Sequence, residues 1–272
     1  MRVYMPGEEW DAGDFPRLLA IGDSWFWYPK NNILESIIRA PSVKDPYTTI
    51  QALGYNGADI GQFVGNGKYA KSFHYELEKG SQYYEAILIS GGGNDAVDYG
   101  LTLKKDCRRF STAEQCMDPA GLDNLLRIIS GSVGLMIHDI RWAFNKHNKS
   151  AKILLHGYDY PVPDGRGFHI KDRKMAGPWL KPALDAAKVD SDNMPLRLSI
   201  CRHLIDMLYI TLARFERPSE GIFCINSRGT LRDGPDYKKD WDNELHPTPS
   251  GFRKIVDKCW VPVLRSIGYA KA

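Results

Sequence analysis

Five short runs that favour extended chain, each stopped by glycine, asparagine or another turn-forming residue, set the rhythm of the sequence. They fall at 17–21 (R-L-L-A-I), 47–53 (Y-T-T-I-Q-A-L), 86–90 (A-I-L-I-S), 151–156 (A-K-I-L-L-H) and 221–226 (G-I-F-C-I-N). Runs of this length, apolar or β-branched and bounded by turn signals, read as buried strands. Helical spacing separates them. Asn31 offers an N-cap before Ile33, Leu34, Ile37 and Ile38; Ala70, Phe73 and Leu77 line one side of 69–79. A long amphipathic stretch covers 119–148 and is expected to bend or break near Gly131 and Gly134. Leu198, Cys201, Ile205, Leu208 and Leu212 share a face of 196–214, and Phe252, Ile255, Val256 and Val263 a face of 250–265. Strand and helix thus alternate, and the first three strands end in polar loops containing glycine, as a parallel sheet with its working edge on one side requires.

Two stretches break the alternation. Residues 100–117 are polar, and 164–195 are polar with scattered hydrophobes including Trp179. Both read as peripheral insertions in one α/β domain spanning 1–272, the second as a cover on the substrate side.

Composition narrows the class without changing the picture. The 272 residues are 43% hydrophobic and 25% charged with a formal charge of +3, ordinary values for a globular protein. The densest basic cluster, Lys104, Lys105, Arg108 and Arg109, is short and reads as solvated surface, so no nucleic-acid partner is expected. No run approaches 18 consecutive apolar residues, and the opening M-R-V-Y-M-P-G-E-E-W lacks a signal peptide's apolar centre. A cytoplasmic location with no transmembrane segment is the expectation, with signal-independent secretion as the other route. Five cysteines without a C-x-x-C pair argue against a zinc site. Cys107 and Cys116 flank a short loop and are positioned to bridge only in an oxidising compartment.

The strand ends carry the chemistry. Ser24 follows the first strand in a strand-to-helix turn and is the candidate nucleophile, its own N–H a candidate oxyanion donor. Gly57 follows the second, where a missing side chain lets a backbone N–H approach a carbonyl; Asn94 follows the third with a side-chain NH₂. His246 follows the fifth and is the candidate base. Singly, each has a plainer explanation as a helix cap, a loop glycine or a turn histidine. Their joint placement at successive strand ends favours chemistry.

These segments resemble the SGNH or GDSL hydrolase family of esterases and lipases. The matching blocks are Gly22-Asp23-Ser24, Gly57, Gly92-Gly93-Asn94-Asp95 and His246-Pro247, in the family's order from residue 17 to about 249. The resemblance implies a three-layer α/β/α sandwich around a flavodoxin-like five-stranded parallel sheet. It also implies hydrolysis of a small-molecule or lipid carboxylic ester through an acyl-enzyme on Ser24, an oxyanion hole of Ser24, Gly57 and Asn94, and no metal or cofactor.

One block departs from the pattern. The family's last block is D-x-x-H, and here Asn243 stands three before His246 and Asp242 four before. A neutral amide can orient an imidazole but cannot stabilise its charged form. Asp242, Asn243 or a backbone carbonyl can each steady the ring, and Asp242 is the choice. Trp25, Trp27 and Tyr158 are the expected walls of the substrate site; His156 and Asp159 stay unassigned. The alternatives are an acyltransferase or carbohydrate deacetylase on the same residues, or a non-catalytic binding module with a degenerate last block.

Overall fold

The computed structural model describes residues 2–11 and 13–272. In chain order the strands are β1 (Arg2–Tyr4), β2 (Leu18–Gly22), β3 (Thr49–Gly54), β4 (Ala86–Ser90), β5 (Lys152–His156), β6 (Phe168–Ile170), β7 (Arg173–Ala176) and β8 (Ile222–Ile225). The α-helices are α1 (Ser24–Trp27), α2 (Ile33–Arg39), α3 (Ala70–Gly80), α4 (Gly93–Asp98), α5 (Ala113–Cys116), α6 (Pro119–Asn145), α7 (Leu180–Ala186), α8 (Met194–Ala213), α9 (Pro249–Ile255) and α10 (Val261–Ser266).

Six strands form one wholly parallel sheet in the order β1-β3-β2-β4-β5-β8. β2, β3 and β4 are buried along their whole length, because helices cover both faces of the sheet. α1, α2 and α9 pack together in one layer, and α3, α6 and α8 in the other, completing a three-layer α/β/α architecture. Setting β1 aside, the order is that of the flavodoxin-like doubly wound sheet, and its direction reverses between β2 and β4. Ser24 and Asn94 follow those two strands, so both stand at the switch point.

The five-stranded expectation needs one correction. The N-terminal arm supplies a sixth strand, pairing Arg2, Val3 and Tyr4 with Thr49, Ile50 and Gln51. It covers an otherwise open edge of β3 and buries the Tyr4 ring completely.

Other boundaries shift locally. Asn32, not Asn31, caps α2, its side chain accepting from Glu35 N, while the Asn31 amide donates to Ser36 and to the Pro249 carbonyl. α6 runs through Gly131 and Gly134 as one helix of 27 residues. It is long and apolar enough to cross a membrane, yet Leu125, Ile129, Val133, Met136 and Ile140 bury its inner face within this fold. The expected last helix is two, α9 and α10, joined by a π-turn over Val256–Trp260. The 164–195 excursion folds as the β6–β7 hairpin followed by α7.

Candidate active site

The strand gives way to a helix at Ser24 for local reasons. Gly22 closes β2 against β4 so tightly that an added Cβ would lie 2.3 Å from the Ser90 carbonyl oxygen. Asp23 then caps α1, accepting from Trp25 N at 3.0 Å, and its buried carboxylate also accepts from Ser90 Oγ (2.9 Å) and Tyr158 OH (2.5 Å). Three donors fix the turn, while burial raises the pKa of Asp23.

Ser24 is the first residue of α1, and among the described residues its backbone N–H has no hydrogen-bond partner. Gly57, in the left-handed region at φ +75°, likewise leaves its N–H unused among the described residues. The Asn94 Nδ2 group gives one hydrogen to the Ala58 carbonyl at 3.1 Å and has a second to offer. Behind it Asp95 accepts from Ile60 N, its pKa pushed up by burial to about 7.

His246 lies in the loop after β8, with its Nε2 2.7 Å from Ser24 Oγ. The other ring nitrogen settles what this bond can do. Asn243 Oδ1 accepts from Leu245 N (2.9 Å) and His246 N (3.0 Å), which identifies it as the oxygen, and it sits 3.1 Å from His246 Nδ1. Nδ1 must therefore carry the proton, and bare Nε2 accepts the serine hydroxyl. The difficulty that an amide sets the wrong tautomer does not arise here, because two backbone donors hold the carbonyl end of Asn243 toward the ring.

Asp242, the expected orienting residue, does not touch the imidazole. Its carboxylate turns to Lys30 Nζ (2.7 and 2.8 Å) and Tyr28 OH. The turn in which Asp242 N donates to His246 O at 2.9 Å points residue 243, and not 242, at the ring. Asp242 nonetheless communicates with it. Asn243 Nδ2 donates to Tyr28 OH (3.1 Å) and reaches Asp242 Oδ2 at 3.5 Å, and the Tyr28 ring stacks on the imidazole. Burial pulls the His246 pKa down to about 3, with the Asp242 charge acting in the opposite sense. The amide that contacts the ring and the nearest carboxylate thus belong to two adjacent residues.

Two pockets meet at the serine. A wide cleft of about 350 Å³ opens over Ser24, Gly57, Asn94 and His246, walled by Tyr28, Phe168 and Trp179. A narrow apolar pocket of about 50 Å³ runs behind Ser24 and is lined by Trp25 and Tyr158 among others. The expectation that Trp27 lines the site is corrected: its indole lies over Gly54, which has no side chain to displace it, and it borders a separate groove with Pro29, Glu35 and Arg39. His156 is placed away from both pockets, whereas Asp159 borders the narrow one. His156 sits among Trp25, Phe26, Tyr158 and Trp260, whereas Asp159 accepts from the backbone N–H groups of Tyr160, Gly229 and Leu231.

One residue escaped sequence reasoning altogether. The buried Glu244 carboxylate accepts from Gly165 N, Trp179 N, Leu180 N and Lys181 N at 2.7–3.0 Å. It straps the excursion and the start of α7 to the histidine loop, holding Trp179 edge-on to His246 with ring centroids 5.8 Å apart. Its partners lie 63–79 residues away, so no local pattern signals it.

The cysteines are all free thiols, Cys107 and Cys116 both buried. No protein-family profile matches the chain, and no curated protein matches it. Solved structures do. A lipase from a goat rumen metagenome, Lip_vut3, superposes with a TM-score of 0.53 at 13% identity, covering 93% of this chain and 97% of that one. A phospholipase A1 from Streptomyces albidoflavus gives 0.47 at 14% identity, over 92% and 98%. The salicylyl-acyltransferase SsfX3 from a tetracycline biosynthetic pathway gives 0.45 at 13%, over 95% of this chain and 56% of its own. The first likeness shows a shared fold, the three-layer α/β/α architecture described above.

Proposed function

We propose that this protein is a serine hydrolase of the SGNH/GDSL type that cleaves carboxylic esters. The observation that carries the reading is the 2.7 Å contact between Ser24 Oγ and an imidazole whose other nitrogen is held by Asn243 Oδ1. In this reading Ser24 Oγ attacks the ester carbonyl while His246 Nε2 takes its proton. The N–H groups of Ser24 and Gly57 and the Asn94 amide hold the oxyanion. His246 then passes the proton to the departing alkoxide, and water, deprotonated by the same nitrogen, releases the acid and frees the serine.

Ester hydrolysis assays of wild type and Ser24→Ala, with fluorophosphonate labelling, test the proposal. Wild type is expected to cleave a short-chain aryl ester and to be labelled at Ser24; Ser24→Ala is expected to fold normally and do neither. An unlabelled wild-type serine or an active Ser24→Ala overturns it.

A further inference from the structure

Two pockets of very different size share Ser24, Asn94 and Leu245 as a common wall, but only the wide cleft contains His246. That asymmetry orients the ester. When the tetrahedral intermediate collapses, the carbonyl carbon to alkoxide bond breaks, and the leaving oxygen must be within reach of the proton on His246 Nε2. The alcohol portion therefore occupies the wide cleft. The acyl substituent, on the other side of the same carbonyl carbon, is directed into the narrow pocket behind Ser24.

The narrow pocket is built for something small and apolar. Val97 in α4, Leu101 just after it, Leu180 at the start of α7, and Leu204, Ile205 and Leu208 along α8 line it. Leu101, Leu180, Leu204 and Leu208 are each no more than 3% exposed, so the walls are core side chains and not mobile surface groups. A volume of about 50 Å³ is roughly a third of the 150 Å³ cavity that admits benzene, which leaves room for about two carbons. The cleft on the alcohol side has about 350 Å³ and aromatic walls in Tyr28, Phe168 and Trp179.

Resting on the hydrolase reading above, we infer that the substrates are esters of short acids, acetyl to propionyl, with bulky alcohols, and that Ile205 and Leu208 set the limit on acyl length. The site is thus a deacylase site for small acyl groups and not one for fatty acids.

The isomeric pair octyl acetate and methyl nonanoate tests this, because each ester holds the same atoms with the long chain on opposite sides. Octyl acetate is expected to be cleaved with kcat/KM at least about 100-fold higher, the scale on which a tight apolar pocket rejects extra methylenes. p-Nitrophenyl acetate should exceed p-nitrophenyl octanoate by a similar factor. Ile205→Ala should raise kcat/KM for p-nitrophenyl butyrate relative to acetate by about tenfold, the effect of removing buried methylenes from a specificity pocket. Leu208→Val should do so more weakly, and provides the readout if Ile205→Ala fails to fold. Equal rates on the two isomers, or preference for methyl nonanoate, overturn the pocket assignment and leave the hydrolase reading intact. So does a wild-type Ser24 that labels with fluorophosphonate but cleaves neither isomer. A serine that neither labels nor turns over any ester overturns both.

Discussion

The Tyr28 ring lies flat on the His246 imidazole, centroids 4.2 Å apart and planes within 2° of parallel. Its hydroxyl donates to Asp242 and accepts from Asn243 Nδ2, so one side chain supports the imidazole by its face and ties the two polar residues behind it by its tip. Burial and the Asp242 charge raise the Tyr28 pKa far above the working range, which keeps that hydroxyl a donor. Tyr28→Phe keeps the plate and loses the tie. kcat is expected to fall about tenfold with KM nearly unchanged, equivalent to about 1.4 kcal/mol of barrier. Steady-state kinetics on p-nitrophenyl acetate check it.

Exchanging the two residues before the histidine loop's turn tests this arrangement of amide and carboxylate. Asn243→Asp alone sets a second carboxylate where the amide now reaches Asp242 at 3.5 Å, and like charges at that distance oppose ionisation. Asn243→Asp combined with Asp242→Asn removes the conflict and puts the carboxylate against Nδ1. The double variant is expected to match or exceed wild-type kcat, while Asn243→Asp alone falls below it. A carboxylate beside the ring favours the imidazolium, so the acid limb of kcat/KM should move to higher pH in the double variant. A pH profile of the three proteins reads both effects.

His156 gives a pH signature in stability. Fully buried among aromatic rings, its pKa is pulled down by burial to about 3, from 6.5 in the open chain. The unfolded state therefore binds the extra proton first, and the stability this residue contributes is full above pH 6.5 and drains away as pH falls toward about 3. Asp95 and Asp159, raised by burial to about 7 and about 6, act in the opposite sense over part of that range. Comparing urea unfolding of His156→Phe with wild type isolates the histidine. The variant is expected to gain relative stability as pH drops from 6.5 to 4, and no change in the difference would contradict the placement.

Glu244→Ala leaves four backbone N–H groups without their acceptor. A loss of about 3 kcal/mol or more and a Tm lower by about 10 °C are expected. Because the same strap holds Trp179 against the base, turnover should fall even at temperatures where the variant is folded. Thermal unfolding followed by circular dichroism, with assays at 15 °C, separates the two losses.

The parts of this molecule that were legible in sequence are those written in contiguous residues. β2 and β4 announce themselves as short apolar runs stopped by glycine-containing turns, and those turns carry Ser24 and Asn94 to one sheet edge. β1 did not, since three mixed residues pair only because β3 offers an open edge. Nor did the choice between Asp242 and Asn243, which depends on a turn geometry one residue wide. Trp27 and Glu244 went astray for a related reason: the groups that place them, Gly54 and the start of α7, are distant in the chain. The two pockets are products of assembly, made by α8 and the hairpin reaching a serine they do not adjoin in sequence.

The contact between Ser24 and His246 joins residues 222 positions apart. Contacts of such separation form late, after the loop they close has been shortened by everything between them. On the hydrolase reading proposed above, the Ser24 hydroxyl is therefore an ordinary alcohol until β8 has joined the sheet and the loop beyond it has docked, and it gains its base only with that long-range contact.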